Sequence, residues 1–174
     1  MIKKIALAAI IVGAVFIAYN VIPKAEPFVK GTFYDEATIM GAKVYLDYGF
    51  LNEKKLVFID VQLKDKAGDI NFQNRVIPLR LYKDGAYIPL MAELTPSGKV
   101  VVALRVCEPC GSFSFHIEES RYIACDLCGT RWDVETLSGV SRGCANYPPP
   151  RLDGSLNGDS IEIDLSTLGL QLVS

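Results

Sequence analysis

Four cysteines fall into two short units, Cys107-Glu108-Pro109-Cys110-Gly111 and Cys125-Asp126-Leu127-Cys128-Gly129. Each reads C-x-x-C-G. Two thiols at this spacing can turn both sulfurs toward one centre, and the glycine permits a left-handed backbone that a side chain resists. Backbone N–H groups can then point at the sulfurs. A bound cation lowers the thiol pKa values, so that all four bind as thiolates. Such a set suits a single tetrahedral zinc or iron, or an iron–sulfur cluster. The competing reading is a pair of disulfides or redox-active dithiols in an oxidising compartment. All five cysteines lie between 107 and 144, whereas a disulfide framework usually ties distant segments and uses an even number, so the metal site is favoured.

Two further residues are candidate members. Cys144, in Ser141-Arg142-Gly143-Cys144-Ala145-Asn146, is a spare ligand, a thiol near the site or a plain buried residue, and spacing favours the last. His116 is the single histidine of the chain and lies between the two units. Its place in a strand makes it an exposed residue before it is a ligand.

The elements that must position the cysteines are legible next. Phe113, Phe115 and Ile117 share one face by period two, with Ser112, Ser114 and His116 on the other. Glu118-Glu119-Ser120 can turn and Arg121-Tyr122-Ile123-Ala124 can return, a hairpin that sets the second unit beside the first. Trp132 and Tyr147-Pro148-Pro149-Pro150 are expected to cover the site with apolar surface, and Arg131 and Asp133 to form an exposed pair.

Upstream, residues 56–63, 76–82 and 99–106 are β-branched or aromatic runs. Turn signals at Asp65-Lys66-Ala67-Gly68-Asp69, Lys83-Asp84-Gly85 and Thr95-Pro96-Ser97-Gly98 separate them. Residues 160–165 alternate as a last strand. The fold class is mainly β: one N-terminal transmembrane helix, then a sandwich-like or barrel-like domain carrying the two-knuckle hairpin. The divisions are an anchor over 1–23, a stalk over 24–40, a β-rich region over 41–106, a cysteine metal-binding region over 107–150 and a C-terminal strand region over 151–174.

The anchor rests on Ile5 to Pro23, an uncharged stretch of 19 residues. At 1.5 Å per residue it just covers a hydrocarbon core of about 30 Å. Its strong apolar residues favour insertion by roughly 3 to 6 kcal/mol. A cleaved signal peptide is the rival, but Pro23-Lys24-Ala25 forms a poor cleavage site. Lys3 and Lys4 before the helix place residues 24–174 outside the cytoplasm, giving a single-pass cell-membrane protein with an extracytoplasmic domain. A net charge of −2 without a basic stripe excludes nucleic acid as an expected partner. No nucleophile–base pair or phosphate loop is present, so a redox carrier is expected rather than a catalyst.

Residues 77–150 resemble the membrane iron–sulfur protein family called FtrD-like. The resemblance is carried by a strand-turn-strand lead-in, the two C-x-x-C-G units and Gly143-Cys144-Ala145-Asn146-Tyr147-Pro148, similar to that family's glycine-cysteine-asparagine-proline element. Arg142 and Ala145 depart from the pattern, which has a glycine and an asparagine there. The resemblance implies an iron–sulfur cluster, places Cys144 with the site, and implies electron transfer or metal handling beside a membrane redox or metal-transport protein. The stretch from Cys128 to Asp133 also looks like the second cluster loop of Rieske-type domains. Cys110 and Cys128 stand where those domains have histidines, and all-thiolate ligation lowers the potential of a two-iron cluster. Two alternatives stay open: a structural zinc-ribbon binding module, and a thiol–disulfide oxidoreductase.

Overall fold

The computed structural model describes residues 28–173. The expected anchor over 1–23 lies outside them. Among the described residues no helix is long and apolar enough to cross a membrane.

The fold is mainly β. In chain order the strands are β1 (Phe28–Lys30), β2 (Thr32–Phe33), β3 (Thr38–Met40), β4 (Lys43–Asp47), β5 (Leu56–Gln62), β6 (Ile70–Phe72), β7 (Arg75–Ile77) and β8 (Tyr87–Leu94). They continue as β9 (Val100–Leu104), β10 (Phe115–Glu118), β11 (Tyr122–Cys125), β12 (Arg131–Asp133), β13 (Gly139–Ser141), β14 (Arg151–Asn157) and β15 (Ser160–Asp164). Among the described residues one α-helix, α1 (Tyr48–Lys54), follows β4; the Asp47 carboxylate caps it by accepting from the Phe50 N–H at 2.6 Å.

Eight strands form a large curled sheet in the order β2-β5-β8-β9-β14-β15-β4-β3, and five form a small sheet, β1-β10-β11-β12-β13. The concave face of the large sheet closes over Val44, Leu46, Val57, Ile59, Ile88, Leu90, Ile161 and Ile163, with Leu51 of α1. Its other face meets the small sheet through Leu56, Phe58, Met91, Val101 and Ala103. The central strands β5, β8 and β9 are therefore covered on both faces. This is why they read as continuous apolar runs, whereas β15, covered on one face only, alternates cleanly.

Three expectations are corrected. Residues 28–40, expected as part of a stalk, supply β1 to the small sheet and β2 and β3 to the two edges of the large one. Strands of two or three residues are too short to show a period. Residues 76–82, expected as one strand, end β7 at Ile77 and turn into a 3-10 helix over Leu79–Leu81, because Pro78 has no N–H to continue a ladder. Phe113 does not share a face with Phe115 and Ile117: β10 begins only at Phe115, and Phe113 packs on the large sheet's core with its ring 4.8 Å from that of Tyr82.

Candidate metal centre

The two knuckles have the same backbone. In the first, the Cys107 N–H donates to the Ser112 carbonyl at 2.8 Å and the Gly111 N–H to the Cys107 carbonyl at 2.8 Å. In the second, the Cys125 N–H donates to the Thr130 carbonyl at 3.0 Å and the Gly129 N–H to the Cys125 carbonyl at 2.8 Å. Gly111 and Gly129 both stand in the left-handed region, at φ 67° and 65°. Each knuckle thus folds back on its own first cysteine, which is the turn the C-x-x-C-G spacing leads one to expect.

The expected hairpin joins them. β10 and β11 pair antiparallel, with Phe115 opposite Cys125 and Ile117 opposite Ile123. Its turn uses Glu119 and Ser120 at φ 56° and 52°. The result is a convergence of sulfurs. Cys107 Sγ lies 3.9 Å from Cys128 Sγ, and Cys110 Sγ lies 3.7 Å from Cys125 Sγ. The sulfurs of Cys107, Cys110, Cys128 and Cys144 all lie within 4.8 Å of one another. All five thiols are free. Cys107, Cys125 and Cys144 are buried, while Cys110 and Cys128 reach the surface.

The thiols are electrostatically unequal. Hydrogen bonding from the Cys107 thiol, and from the Cys128 N–H, the Ser112 hydroxyl and the Leu127 N–H, holds Cys125 well below the usual thiol range despite burial. Cys107, on the other side of that bond, is pushed up by its partner thiolate and by burial. Burial also raises Cys110. Burial pushes Cys128 the same way, but the Thr130 hydroxyl and N–H more than offset it, and Cys128 ends below its ordinary value. The thiols of Cys107 and Cys110 hold their protons at neutral pH, and a metal cation that binds the sulfur displaces them to solvent.

Around the sulfurs sit groups that spacing did not single out. The buried Thr130 hydroxyl lies 3.3 Å from Cys128 Sγ and accepts from the Cys144 N–H at 3.3 Å. It is the link between the second knuckle and Cys144. Ser112, at the matching position of the first knuckle, is also buried. The acidic residue after the first cysteine is fastened in both knuckles. Glu108 pairs with Arg75 at 2.8 Å, and Asp126 pairs with the His116 ring and accepts from the Ser114 hydroxyl. The full repeat is therefore cysteine, acid, any residue, cysteine, glycine, hydroxyl. It stands in the sequence twice at equal offsets.

His116 itself is not directed at the sulfurs. Asp126 engages its Nδ1 and Glu118 its Nε2 at 2.8 Å, and its ring stacks on Phe28 at 4.3 Å. Both ring nitrogens are taken by carboxylates, and its side chain is covered rather than exposed. Trp132 is fully buried among the cysteines, and its indole N–H donates to the Ala145 carbonyl at 3.2 Å. Of the proline run, Pro149 and Pro150 are buried, and the Pro150 carbonyl accepts from the Leu104 N–H at 2.8 Å. Arg131 and Asp133 do not pair with each other. Arg131 reaches Glu118 at 2.5 Å, and the Asp133 carboxylate accepts from the Glu135 and Thr136 N–H groups at 3.1 Å each.

A buried clamp holds the first knuckle to the large sheet. Arg105, only 2% exposed, donates to the Phe113 carbonyl at 2.6 Å, to Asp60 at 2.6 Å and to the Leu90 carbonyl at 3.2 Å. Its guanidinium also lies 4.5 Å from the Phe58 ring centroid. Arg105 and Phe113 bracket the knuckle, so one side chain fixes both its ends. The signal in the sequence was a lone charge inside the apolar run before Cys107.

Comparison with known proteins gives a family. The model of the family described as "Membrane iron-sulfur containing protein FtrD-like" matches residues 73–172. No curated protein matches the chain. Among solved structures, the "Ferredoxin of carbazole 1,9a-dioxygenase from Nocardioides aromaticivorans IC177" aligns at 17% identity over 60% of this chain and 96% of its own, with a TM-score of 0.37.

Proposed function

We propose that this chain, which belongs to the FtrD-like family of membrane iron–sulfur containing proteins, is an electron-transfer module that holds an iron–sulfur centre in its two knuckles. The observation that carries the reading is the convergence of sulfurs: Cys107, Cys110, Cys128 and Cys144 lie within 4.8 Å of one another, and Cys125 joins them through its 3.7 Å contact with Cys110. The donor set fits the group: the ligands are thiols, none is tied up as a disulfide, and buried hydroxyls face two of them. When bound, the centre supplies one-electron transfer. The chain's own part is to hold the sulfurs, to keep Cys107 and Cys125 dry, and to leave the Cys110 and Cys128 edge open to a partner. In this reading the N-terminal apolar segment keeps the module at the membrane, beside a membrane redox or metal-transport protein.

A second reading draws on the same distances, which tetrahedral zinc, a single iron and the iron of a cluster all fit. Thiolate bonds of about 2.3 Å in a tetrahedron give sulfur–sulfur edges of about 3.8 Å. The two observed separations, 3.7 and 3.9 Å, match that edge. A single zinc or iron ion in a structural role is the alternative. Anaerobic purification followed by iron, sulfide and zinc analysis separates the two. The first reading expects iron with sulfide and visible absorption that bleaches on reduction. One equivalent of zinc in a colourless protein would defeat it.

A further inference from the structure

The edge at which Cys110 and Cys128 reach the surface carries a particular set of side chains. Leu127, between the cysteines of the second knuckle, is 68% exposed. Leu81, 54% exposed, lies beside Gly111, its Cδ1 3.6 Å from where a Cβ of that residue would be. Arg142 lies against Gly129, with guanidinium atoms 3.3 Å from the position of the Cβ that Gly129 lacks. Leu127 thus adjoins Cys128, and Leu81 and Arg142 lie against the glycines that follow Cys110 and Cys128.

The charges at this edge are not balanced by pairing. Glu108 and Asp126 are held by Arg75 and His116. Arg75, Arg80, Arg105 and Arg131 have carboxylate partners; Arg121, Arg142 and Arg151 have none among the described residues, and of these three Arg142 is the one laid against the second knuckle. Arg142 also stands at φ 74°, a left-handed conformation that costs a non-glycine residue about 1 kcal/mol or more. The backbone strain is kept, and the side chain it carries is an unpaired cation laid over the loop of the metal centre. Two leucines and one free guanidinium around an accessible centre make a small apolar contact with one fixed charge. Small, weak contacts are the usual form of electron-transfer encounters, and charge complementarity sets how fast such partners meet.

We infer that this edge is a docking surface for a redox protein that presents carboxylates beside an apolar patch, with Arg142 as the residue that selects the sign of the partner's charge. The inference rests on the redox reading of the centre. The experiment therefore uses two probes that carry opposite charge. In stopped flow at low ionic strength, the reduced holoprotein is oxidised by ferricyanide or by cobalt(III) tris-phenanthroline. One electron leaves the centre, ferricyanide becomes ferrocyanide or Co(III) becomes Co(II), and no proton or ligand moves. Arg142→Glu is expected to slow the ferricyanide reaction about fivefold and to speed the cobalt reaction. Arg142→Lys keeps the wild-type ratio, and about 0.5 M salt erases the difference. Equal changes with both probes, or none, overturn the inference. If the protein proves to hold zinc, the redox reading falls separately. The charge test is then read from zinc extraction by anionic EDTA against neutral phenanthroline, where an unchanged ratio in Arg142→Glu overturns it as well.

Discussion

The two knuckles share one backbone and live in different surroundings. The first grows out of β9 and is bolted to the large sheet by Arg105, whose charge is answered by Asp60 inside the protein. The second ends β11 in the small sheet and is held from its rim, where Asp126 meets His116 and Ser114. Equal local geometry thus rests on a buried guanidinium with a partly covered carboxylate on one side, and on rim contacts around the buried Thr130 hydroxyl on the other. The turn follows from C-x-x-C-G; the rigidity with which it is held follows from what lies beneath it. The first knuckle is the fixed jaw of the site and the second is the fitted one.

The largest effect should come from the sulfurs and should ignore this difference. Cys107→Ser and Cys125→Ser, one from each knuckle, are each expected to weaken metal binding about 100-fold or more, measured by competition against a chelator. Cys144→Ser is expected to cost about tenfold or less, as loss of a supporting group does. A loss in Cys144→Ser as large as in Cys107→Ser would place its sulfur among the ligands.

The next effect should expose the difference directly. Arg105→Ala takes the donors from the Phe113 and Leu90 carbonyls and leaves Asp60 with Lys83 and the Tyr82 hydroxyl, and is expected to cost about 2–3 kcal/mol in denaturant unfolding. Asp126→Asn removes only a rim contact and is expected to cost about 1 kcal/mol or less. Similar costs for the two would mean that the knuckles are held alike.

A last effect, confined to a window of pH, concerns Glu93 of β8. It is 1% exposed, and neither carboxyl oxygen has a hydrogen-bond partner among the described residues. Burial raises its pKa well above the ordinary value, and nearby Asp133 and Glu135 push the same way against Arg151. The folded protein therefore binds this proton more tightly than the unfolded chain. The associated stability is full below the ordinary carboxylate pKa and is lost as pH rises toward the raised one. Glu93→Gln keeps the shape without the charge, and should become more stable than the wild type by about 1–3 kcal/mol as pH rises through that window. Parallel melting curves for the two proteins from pH 4 to pH 8 would refute this.

What the sequence showed divides along physical lines. The cysteine pairs, the hairpin between them and the apolar strands β5 and β9 were legible because spacing and burial leave a pattern in neighbouring residues. The nearness of Cys144 was not visible from spacing, because Thr130 joins it to the second knuckle across 14 positions of chain. The Arg105 clamp depends on Asp60, 45 positions away. The acids Glu108 and Asp126 stood in plain view at matching offsets, but their partners, Arg75 and His116, are contacts that only the fold creates. The membrane segment rests on composition alone and lies outside the described residues.

β1 carries a mechanical consequence. Val29 pairs with Ile117 and Lys30 with His116, so the first described residues already belong to the sheet that carries the second knuckle. No slack separates Phe28 from the His116 ring it stacks on. A pull on the chain at this end loads the β1–β10 hydrogen bonds at once, and passes through His116 and Asp126 into the second knuckle. Within the described residues, then, Phe28 and the second knuckle move as one piece, and a turn applied at Phe28 is passed on as a turn and not only as a tug.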